Sequence, residues 1–123
     1  TGGQARAHGR MLAAAGLASD IHVASPRGDA ERAEAAADAI RAAAGIAARA
    51  APLSAAVAGG EAIICLSLAE RPLPLGAPPA EVVLASIGPF YPHAHEIDPA
   101  LVASAACVVS DHPADRHCST STR

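Results

Sequence analysis

The sequence has no tryptophan, one phenylalanine and one tyrosine, and its nine basic residues are all arginine. With so few aromatic rings to stack on bases and a net charge of −3, the chain lacks the features of a nucleic-acid-binding protein. No apolar run reaches the ~20 residues of a membrane span, and no signal peptide is evident. We therefore expect neither nucleic acid nor a membrane as a partner.

The three cysteines give no disulfide pattern. Cys65 and Cys107 lie within apolar runs, where a cysteine is usually a small core residue. A reducing, cytoplasmic location is the simplest setting for such a protein.

Half of the chain is apolar, and much of that half is alanine. A length of 123 residues suits a single domain with one core. Small side chains let helices and strands pack closely, as layered α/β folds require, although each buries little area.

The order of helical and strand-like segments predicts an α/β fold. Periodicity and capping residues predict helices over residues 4–17, 29–44 and 98–105, and a short helical or turn segment over 54–58. Apolar runs predict strands over 20–25, 46–49, 62–67, 81–87 and 107–110. Asp29 is the expected N-cap and Gly45 the expected C-cap of the second helix. Asp98 is the expected N-cap of the last helix, with Pro99 at its first helical position. This order indicates a mostly parallel sheet with right-handed crossovers in three layers, and residues 62–67 and 81–87 are its expected buried central strands. The domain is expected to span residues 1–113, followed by a frayed polar tail over 114–123.

The segment Thr1-Gly2-Gly3-Gln4 directly precedes the first predicted helix. Glycines there let the backbone approach a pyrophosphate, and the helix N-terminus offers unpaired N–H groups and a positive dipole end. A dinucleotide-binding loop normally follows a strand and a further glycine. By itself, therefore, the glycine pair also fits a flexible terminus.

Several motifs in order resemble the ornithine cyclodeaminase/mu-crystallin family. T-G-G-Q-A-R-A-H from Thr1 resembles the family's phosphate loop, G-T-G-x-Q-A-x-x-H. A-G-G-E-A-I-I from Ala58 is similar to its G-A-D-V-I segment, and E-R-P-L from Glu70 to its loop ending in E-P-(I/L). Gly88, Pro92 and Glu96-Ile97-Asp98 follow its G-x-x-x-P-x-x-x-E-L-D pattern. The resemblance extends from Thr1 to about Asp111 and depends on the joint order of the motifs.

The resemblance implies a Rossmann-like NAD(P)-binding domain whose first strand is missing from this chain. In the family this domain is inserted into a second domain that holds the substrate and mediates dimerisation, so the parent protein is expected to be a homodimer. The expected cofactor-binding residues are Thr1, Gly2, Gly3 and Gln4 in the phosphate loop, Ser25 and Arg27 after the second strand, and Cys65, Leu66, Ser67, Ile87 and Gly88 at later strand ends.

The turn at Ser25-Pro26-Arg27 favours NADP over NAD. NAD-binding domains usually carry a carboxylate about 20 residues after the glycines, where it accepts the ribose hydroxyls. None stands in this turn, and the planar guanidinium of Arg27 suits a 2′-phosphate. A solvated turn arginine fits nearly as well. Asp29 could also reach the ribose, although its better use is as an N-cap.

The loop after Gly88 bears on the reaction. Family members that cyclise ornithine carry an aspartate there, and alignment on Gly88 and Pro92 puts Phe90 in its place. Phe90 cannot act as a general base. The resemblance therefore favours members that reduce a cyclic imino acid such as Δ1-pyrroline-2-carboxylate. Ornithine cyclodeamination, an NADPH-dependent binding protein without efficient catalysis, and an inactive fragment remain alternatives. We assign no catalytic residue to this chain.

The remaining groups of polar residues are weaker candidates for a functional site. His93, His95 and Glu96, or His112, His117 and Cys118, do not match a structural zinc spacing, so no metal is expected. His8 lies on the apolar face of the first helix and is interpreted as a packing residue. No G-x-S-x-G motif is present, which disfavours a serine hydrolase.

Overall fold

The computed structural model describes residues 2–88 and 95–110, which form a mixed α/β arrangement of helices and short parallel strands. The elements in chain order are α1 (Gly3–Ala14), β1 (Asp20–Val23), α2 (Ala30–Ala44), β2 (Ala47–Ala50), α3 (Leu53–Ala58), β3 (Ala62–Cys65), β4 (Val83–Ser86) and α4 (Pro99–Ser104). Among these residues, no helix combines the length and hydropathy needed to cross a membrane. The predicted polar tail lies outside the described residues.

Helix α2 and the two strands around it form the first packed unit. β1 and β2 are parallel, with Asp20 opposite Ala47 and Val23 opposite Ala50. One face of the pair packs on α2, and the shared core consists of Val23, Ala33, Ala36, Ala37, Ile40 and Ala48. Alanine dominates this core because the helix axis lies close to the strands, which leaves little room for larger side chains.

The boundaries of α2 are set by local capping, as the sequence predicts. The Asp29 side chain accepts a hydrogen bond of 3.0 Å from the backbone N–H of Arg32. At the other end Gly45 adopts φ 66°, a left-handed conformation that favours glycine, and its N–H donates to the carbonyl of Arg41. Both devices satisfy backbone groups that a helix end leaves without partners.

Helix α1 packs beside α2 in a parallel orientation. Gly9 of α1 faces Ile40 of α2, and the groove between the helices is lined by Ala13 and Ala14 on one side and Ala43 and Ala44 on the other. Because the C-terminal residues of both helices line the same groove, while Gly9 in the middle of α1 faces Ile40, the two helices run in the same direction. Their N-termini therefore lie at the same end of the unit.

The strands β3 and β4 form the second unit. They are parallel, with Ala62 opposite Val83 and Cys65 opposite Ser86. One face is covered by α3, α4 and the segment around residues 73–75. Its core consists of the buried Val57, Cys65 and Leu75 with the half-buried Leu53, Ile63, Leu73, Leu84, Ile97 and Leu101. Asp98 caps α4 by accepting from the N–H of Ala100, and Pro99 occupies the first turn, as the sequence predicts.

Three expectations from the sequence are wrong, and the strand expected over residues 62–67 ends two residues early, at Cys65, with its first residue Ala62 exposed. Residues 107–110 form no strand, and Val109 is 88% exposed. The first helix ends at Ala14, because the chain turns through Gly16 at φ 68°. The run over residues 81–87 is not a buried central strand: β4 has only four residues, and Val83 is 66% exposed. Both Val83 and Ser86 are exposed, so β4 is not covered on both faces, and the described strands form two separate two-stranded sheets.

Candidate functional site

The N-terminus of α1 is an exposed helix end without a side-chain cap. Gly2 is the N-cap residue in an extended conformation, and the first backbone bond of the helix runs from Arg6 N–H to Gly2 O at 3.4 Å. A Cβ atom placed on Gly2 or Gly3 would meet no atom within 4 Å. Among the described residues, no side chain accepts from the N–H groups of Gly3, Gln4 and Ala5, an arrangement that fits an anion such as a phosphate. Thr1 lies outside the described residues.

The turn after β1 presents an arginine that has no acidic partner within residues 2–88 and 95–110. The N–H of Gly28 donates to the carbonyl of Ser25 at 3.0 Å, and Gly28 adopts φ 72°. Arg27 is exposed and takes part in none of the ion pairs of the described residues. The carboxylate of Asp29 is occupied as the N-cap of α2. The turn therefore offers a cation and no unengaged carboxylate.

The fold brings these two features to one end of the first unit. The turn at Ser25 and Arg27 leads directly into the N-terminus of α2, and α1 runs parallel to α2. Gly2, Gly3 and Gln4 consequently lie at the same end as the turn. Two helix N-termini with the positive ends of their dipoles also point toward this end.

The second group of predicted site residues lies at the carboxyl ends of β3 and β4. Cys65 is the last residue of β3, and Leu66 and Ser67 follow it. Ile87 follows β4 and its N–H donates to Cys65 O at 3.0 Å, which brings Gly88 to the same edge. Burial raises the pKa of the Cys65 thiol to about 11, and the charge of Glu96 adds to the rise. A thiol with so high a pKa is a core group and not a nucleophile.

Glu96 is the residue at this edge that the sequence did not single out as a site component. It is 1% exposed, and its carboxyl oxygens accept hydrogen bonds from the N–H of Ser67 and from the hydroxyl of Ser86, the latter at 2.8 Å. The sequence pointed to Glu96 as the glutamate of the motif that follows Gly88 and Pro92, and as a weak metal ligand beside His93 and His95, but gave it no role in the cofactor site. Nothing in the local pattern signals its burial, because its partners are 29 and 10 residues away in the chain.

The described residues do not join the two groups directly. No hydrogen bond or ion pair links Gly2, Gly3, Gln4, Ser25 or Arg27 with the edge at β3 and β4 within residues 2–88 and 95–110. Phe90 and His93 lie outside the described residues. The half-buried His8 shares a 2.9 Å hydrogen bond between its ring Nδ1 and the Gln4 carbonyl, one turn back in α1. Across the described part of the chain, no group of three potential metal ligands comes together.

Comparison of the chain with protein-family models, with curated proteins and with solved structures gives no match. Any assignment of function therefore depends on the strand pairing, on the geometry of the two groups and on the sequence motifs.

Proposed function

We propose that the chain is the NAD(P)H-binding domain of an oxidoreductase of the ornithine cyclodeaminase/mu-crystallin family, one that reduces a cyclic imino acid such as Δ1-pyrroline-2-carboxylate. The observation that carries the proposal is the pairing of the strands. In the doubly wound dinucleotide-binding sheet the strand order is 3-2-1-4-5, so only the pairs 2–3 and 4–5 exclude the first strand. The pairs in this chain are β1 with β2 and β3 with β4, both parallel. They correspond to those two pairs if β1 is the second strand of the sheet.

The two edges of the first sheet differ in a way that supports this order. The outer edge of β2 is closed by α2: Arg41 donates to the carbonyl of Ala48, and Glu34 accepts from the N–H of Ala50 at 3.3 Å. Side chains that occupy backbone groups in this way prevent a further strand from pairing. No side chain of the described residues bonds the backbone of β1. The β1 edge is therefore the one suited to receive a strand.

A parallel strand between β1 and β3 would complete a Rossmann-like sheet. In such a sheet α1 and α2 cover one face and α3 and α4 the other, because the direction of winding reverses between the second and the fourth strand. Each two-stranded sheet in this chain packs on helices on one face. A strand that joined the two sheets would therefore give one sheet between two layers of helices.

The cofactor would then lie along the carboxyl ends of the strands. Gly2, Gly3 and Gln4 would hold the pyrophosphate through backbone N–H groups, as the open N-terminus of α1 allows. Arg27, beside Ser25, would pair with the 2′-phosphate of NADP, since no carboxylate is unengaged there. The segments after β3 and β4, with Leu66, Ser67, Ile87 and Gly88, would face the nicotinamide half.

When bound, the reduced nicotinamide supplies a hydride to the imine carbon. The residues of this chain contribute binding and orientation, and the resemblance assigns the substrate carboxylate to the second domain of the family. The preference for imine reduction over ornithine cyclisation rests on Phe90, which offers no base to assist the proton transfers that deamination requires.

The substrate proposal is tested on the complete enzyme. NADPH oxidation with Δ1-pyrroline-2-carboxylate and ammonia release from L-ornithine are measured on one preparation. We expect proline formation with NADPH and little or no ammonia. Brisk ammonia release without net NADPH consumption would contradict the role given to Phe90. Tight NADPH binding without any hydride transfer would favour a binding protein instead.

A further inference from the structure

The Glu96 carboxyl group is buried beneath the carboxyl ends of β3 and β4. Its side chain is among the largest fully buried ones in the described residues, and it forms no ion pair there. The oxygen Oε1 accepts from the N–H of Ser67, and Oε2 accepts from the hydroxyl of Ser86. The backbone carbonyl of Glu96 also accepts from the N–H of Leu73 at 2.8 Å, which fixes the segment in place.

The Glu96 side chain takes the place of the next backbone hydrogen bond that would be expected between β3 and β4. The N–H of Val83 donates to Glu61 O, and the N–H of Ile87 donates to Cys65 O. With this alternation, the next bond of a parallel ladder would run from the N–H of Ser67 to the carbonyl of Ile87. Ser67 donates to the Glu96 carboxyl group instead. Strand pairing therefore ends at this point, and the Glu96 carboxyl group accepts the hydrogen bond that a strand carbonyl would otherwise accept.

The glycine at position 88 is explained by this arrangement. A Cβ atom on Gly88 would overlap the Glu96 carboxyl group and would also lie 2.6 Å from the carbonyl oxygen of Ser67. The backbone of Gly88 thus packs directly on Glu96 and on the segment after β3. Glycine is required at position 88 because a side chain there would not fit, and the Glu96 carboxyl group fills the space that the side chain would need.

We propose that Glu96 is a positioning residue, which links the ends of β3 and β4 through Ser67 and Ser86 and thereby shapes the nicotinamide half of the cofactor site. Ligands of doubly wound sheets bind outside the carboxyl ends of the strands, and Ser67 and Gly88 are the residues that leave two neighbouring strands at that edge. Burial of a carboxyl group that has no cation beside it among the described residues is costly, and the fixed placement of the two segments is what the fold gains from it. This inference rests on the proposed dinucleotide function.

Two substitutions at Glu96 separate positioning from general stability. In Glu96→Gln the amide oxygen still accepts from the N–H of Ser67, and the amide nitrogen can donate to the Ser86 hydroxyl, which also accepts. In Glu96→Ala both partners lose their acceptor. The matched control is Val57→Ala, which removes a buried side chain from the same core without touching Ser67 or Ser86.

The dissociation constant of NADPH and the hydrogen exchange of the Ser67 amide are measured on the chain at a temperature where every variant is folded. We expect roughly tenfold or greater weakening for Glu96→Ala, as for a lost hydrogen bond to a charged group, with faster exchange at Ser67. Glu96→Gln should restore both to near the wild-type values. Val57→Ala should lower the melting temperature and leave both unchanged.

Wild-type affinity in Glu96→Ala, or an equal loss in Val57→Ala, would overturn the proposal. If the wild-type chain binds no NADPH, the proposed function fails by itself, and the Ser67 amide then decides the role of Glu96: faster exchange in Glu96→Ala supports it and unchanged exchange overturns it. Should Glu96→Ala not fold, Ser86→Ala replaces it as the deciding variant. A smaller loss of affinity in Ser86→Ala supports the proposal, and no loss contradicts it.

Discussion

Replacement of Gly9 by alanine tests the close packing of α1 on α2. A Cβ atom at position 9 would lie 2.5 Å from Cδ1 and 2.8 Å from Cγ1 of Ile40, whereas carbon atoms prefer separations of about 3.5–4.0 Å. Ile40 is 1% exposed and belongs to the buried core of the first unit. It cannot swing into solvent, so the two helices must separate or the isoleucine must leave its preferred rotamer.

Two effects of opposite sign set the magnitude. Alanine favours the interior of a helix over glycine by about 1 kcal/mol. Overpacking of a tight core costs about 1–3 kcal/mol, and an overlap of ~1 Å with two atoms of a stiff, buried side chain belongs in the upper half of that range. We therefore expect Gly9→Ala to lower the free energy of unfolding by about 1–2 kcal/mol, despite its better helix propensity.

Urea unfolding followed by circular dichroism measures this change, with Ile40→Val as the partner in a double-mutant cycle. Ile40→Val removes Cδ1 and costs about 0.5–1.5 kcal/mol alone, but it makes room for the new methyl group. The double variant should be more stable than the sum of the single effects by about 1 kcal/mol, typical for residues in contact. Gly59→Ala is the control, because its Cβ would meet only the Ala55 carbonyl at 3.5 Å. Additive effects, or a stabilising Gly9→Ala, would refute the packing argument.

Three further predictions concern single side chains. Arg27→Ala should weaken NADPH binding by about 1–3 kcal/mol, as for a lost charge-assisted hydrogen bond, and leave NADH binding nearly unchanged. The control, Arg10→Ala, should change the affinity for neither cofactor. Equal losses of NADPH and NADH affinity in Arg27→Ala would refute the 2′-phosphate role. The pKa of Glu34 is lowered mainly by its hydrogen bond to Arg41. The ionised Glu34 side chain therefore stabilises the fold above pH 4.5, its ordinary pKa, and this contribution is lost as the pH falls through the lowered pKa. The difference in melting temperature between wild type and Glu34→Gln should consequently shrink in acid. A difference that stays constant with pH would contradict this. Cys65, with a pKa of about 11, should resist iodoacetamide at pH 8 until the chain unfolds, whereas the exposed Cys107 should react. Peptide mass spectrometry that shows rapid modification at Cys65 in the native state would contradict its burial.

The sequence predicts best what is decided locally. The ends of α2 follow from Asp29 and Gly45, and the start of α4 follows from Asp98 and Pro99, because each capping group bonds a backbone atom a few residues away. The coarse prediction of an α/β arrangement with parallel strands is also confirmed, because helical and strand-like runs alternate along the chain and each run is recognisable from its own residues.

Strand ends and burial are decided by distant residues, and here the sequence is a poor guide. The apolar run over residues 62–67 suggests a six-residue strand, but β3 ends at Cys65, and Ser67 two residues later donates to Glu96, 29 residues away. The hydrophobicity of residues 81–87 likewise suggests a covered strand, although Val83 is largely exposed.

The candidate site divides in the same way. Its first half, at Gly2, Gly3 and Arg27, consists of exposed groups at a helix end and a turn, which motif and spacing can indicate. Its second half depends on Glu96, whose partners are brought to it by the register of β3 and β4. No pattern in the neighbourhood of Glu96 encodes that register.

The most direct test of the dinucleotide proposal is a titration of the ¹⁵N-labelled chain with NADPH, followed by amide chemical shifts. We expect saturable shifts of the amide signals of Gly2, Gly3, Gln4 and the turn over residues 25–28. The amide signal of Ala50, which lies on the closed outer edge of β2, should not shift. Shifts at the turn should largely disappear in Arg27→Ala. No saturable shift at the helix end and the turn, or shifts confined to other parts of the chain, would contradict the account.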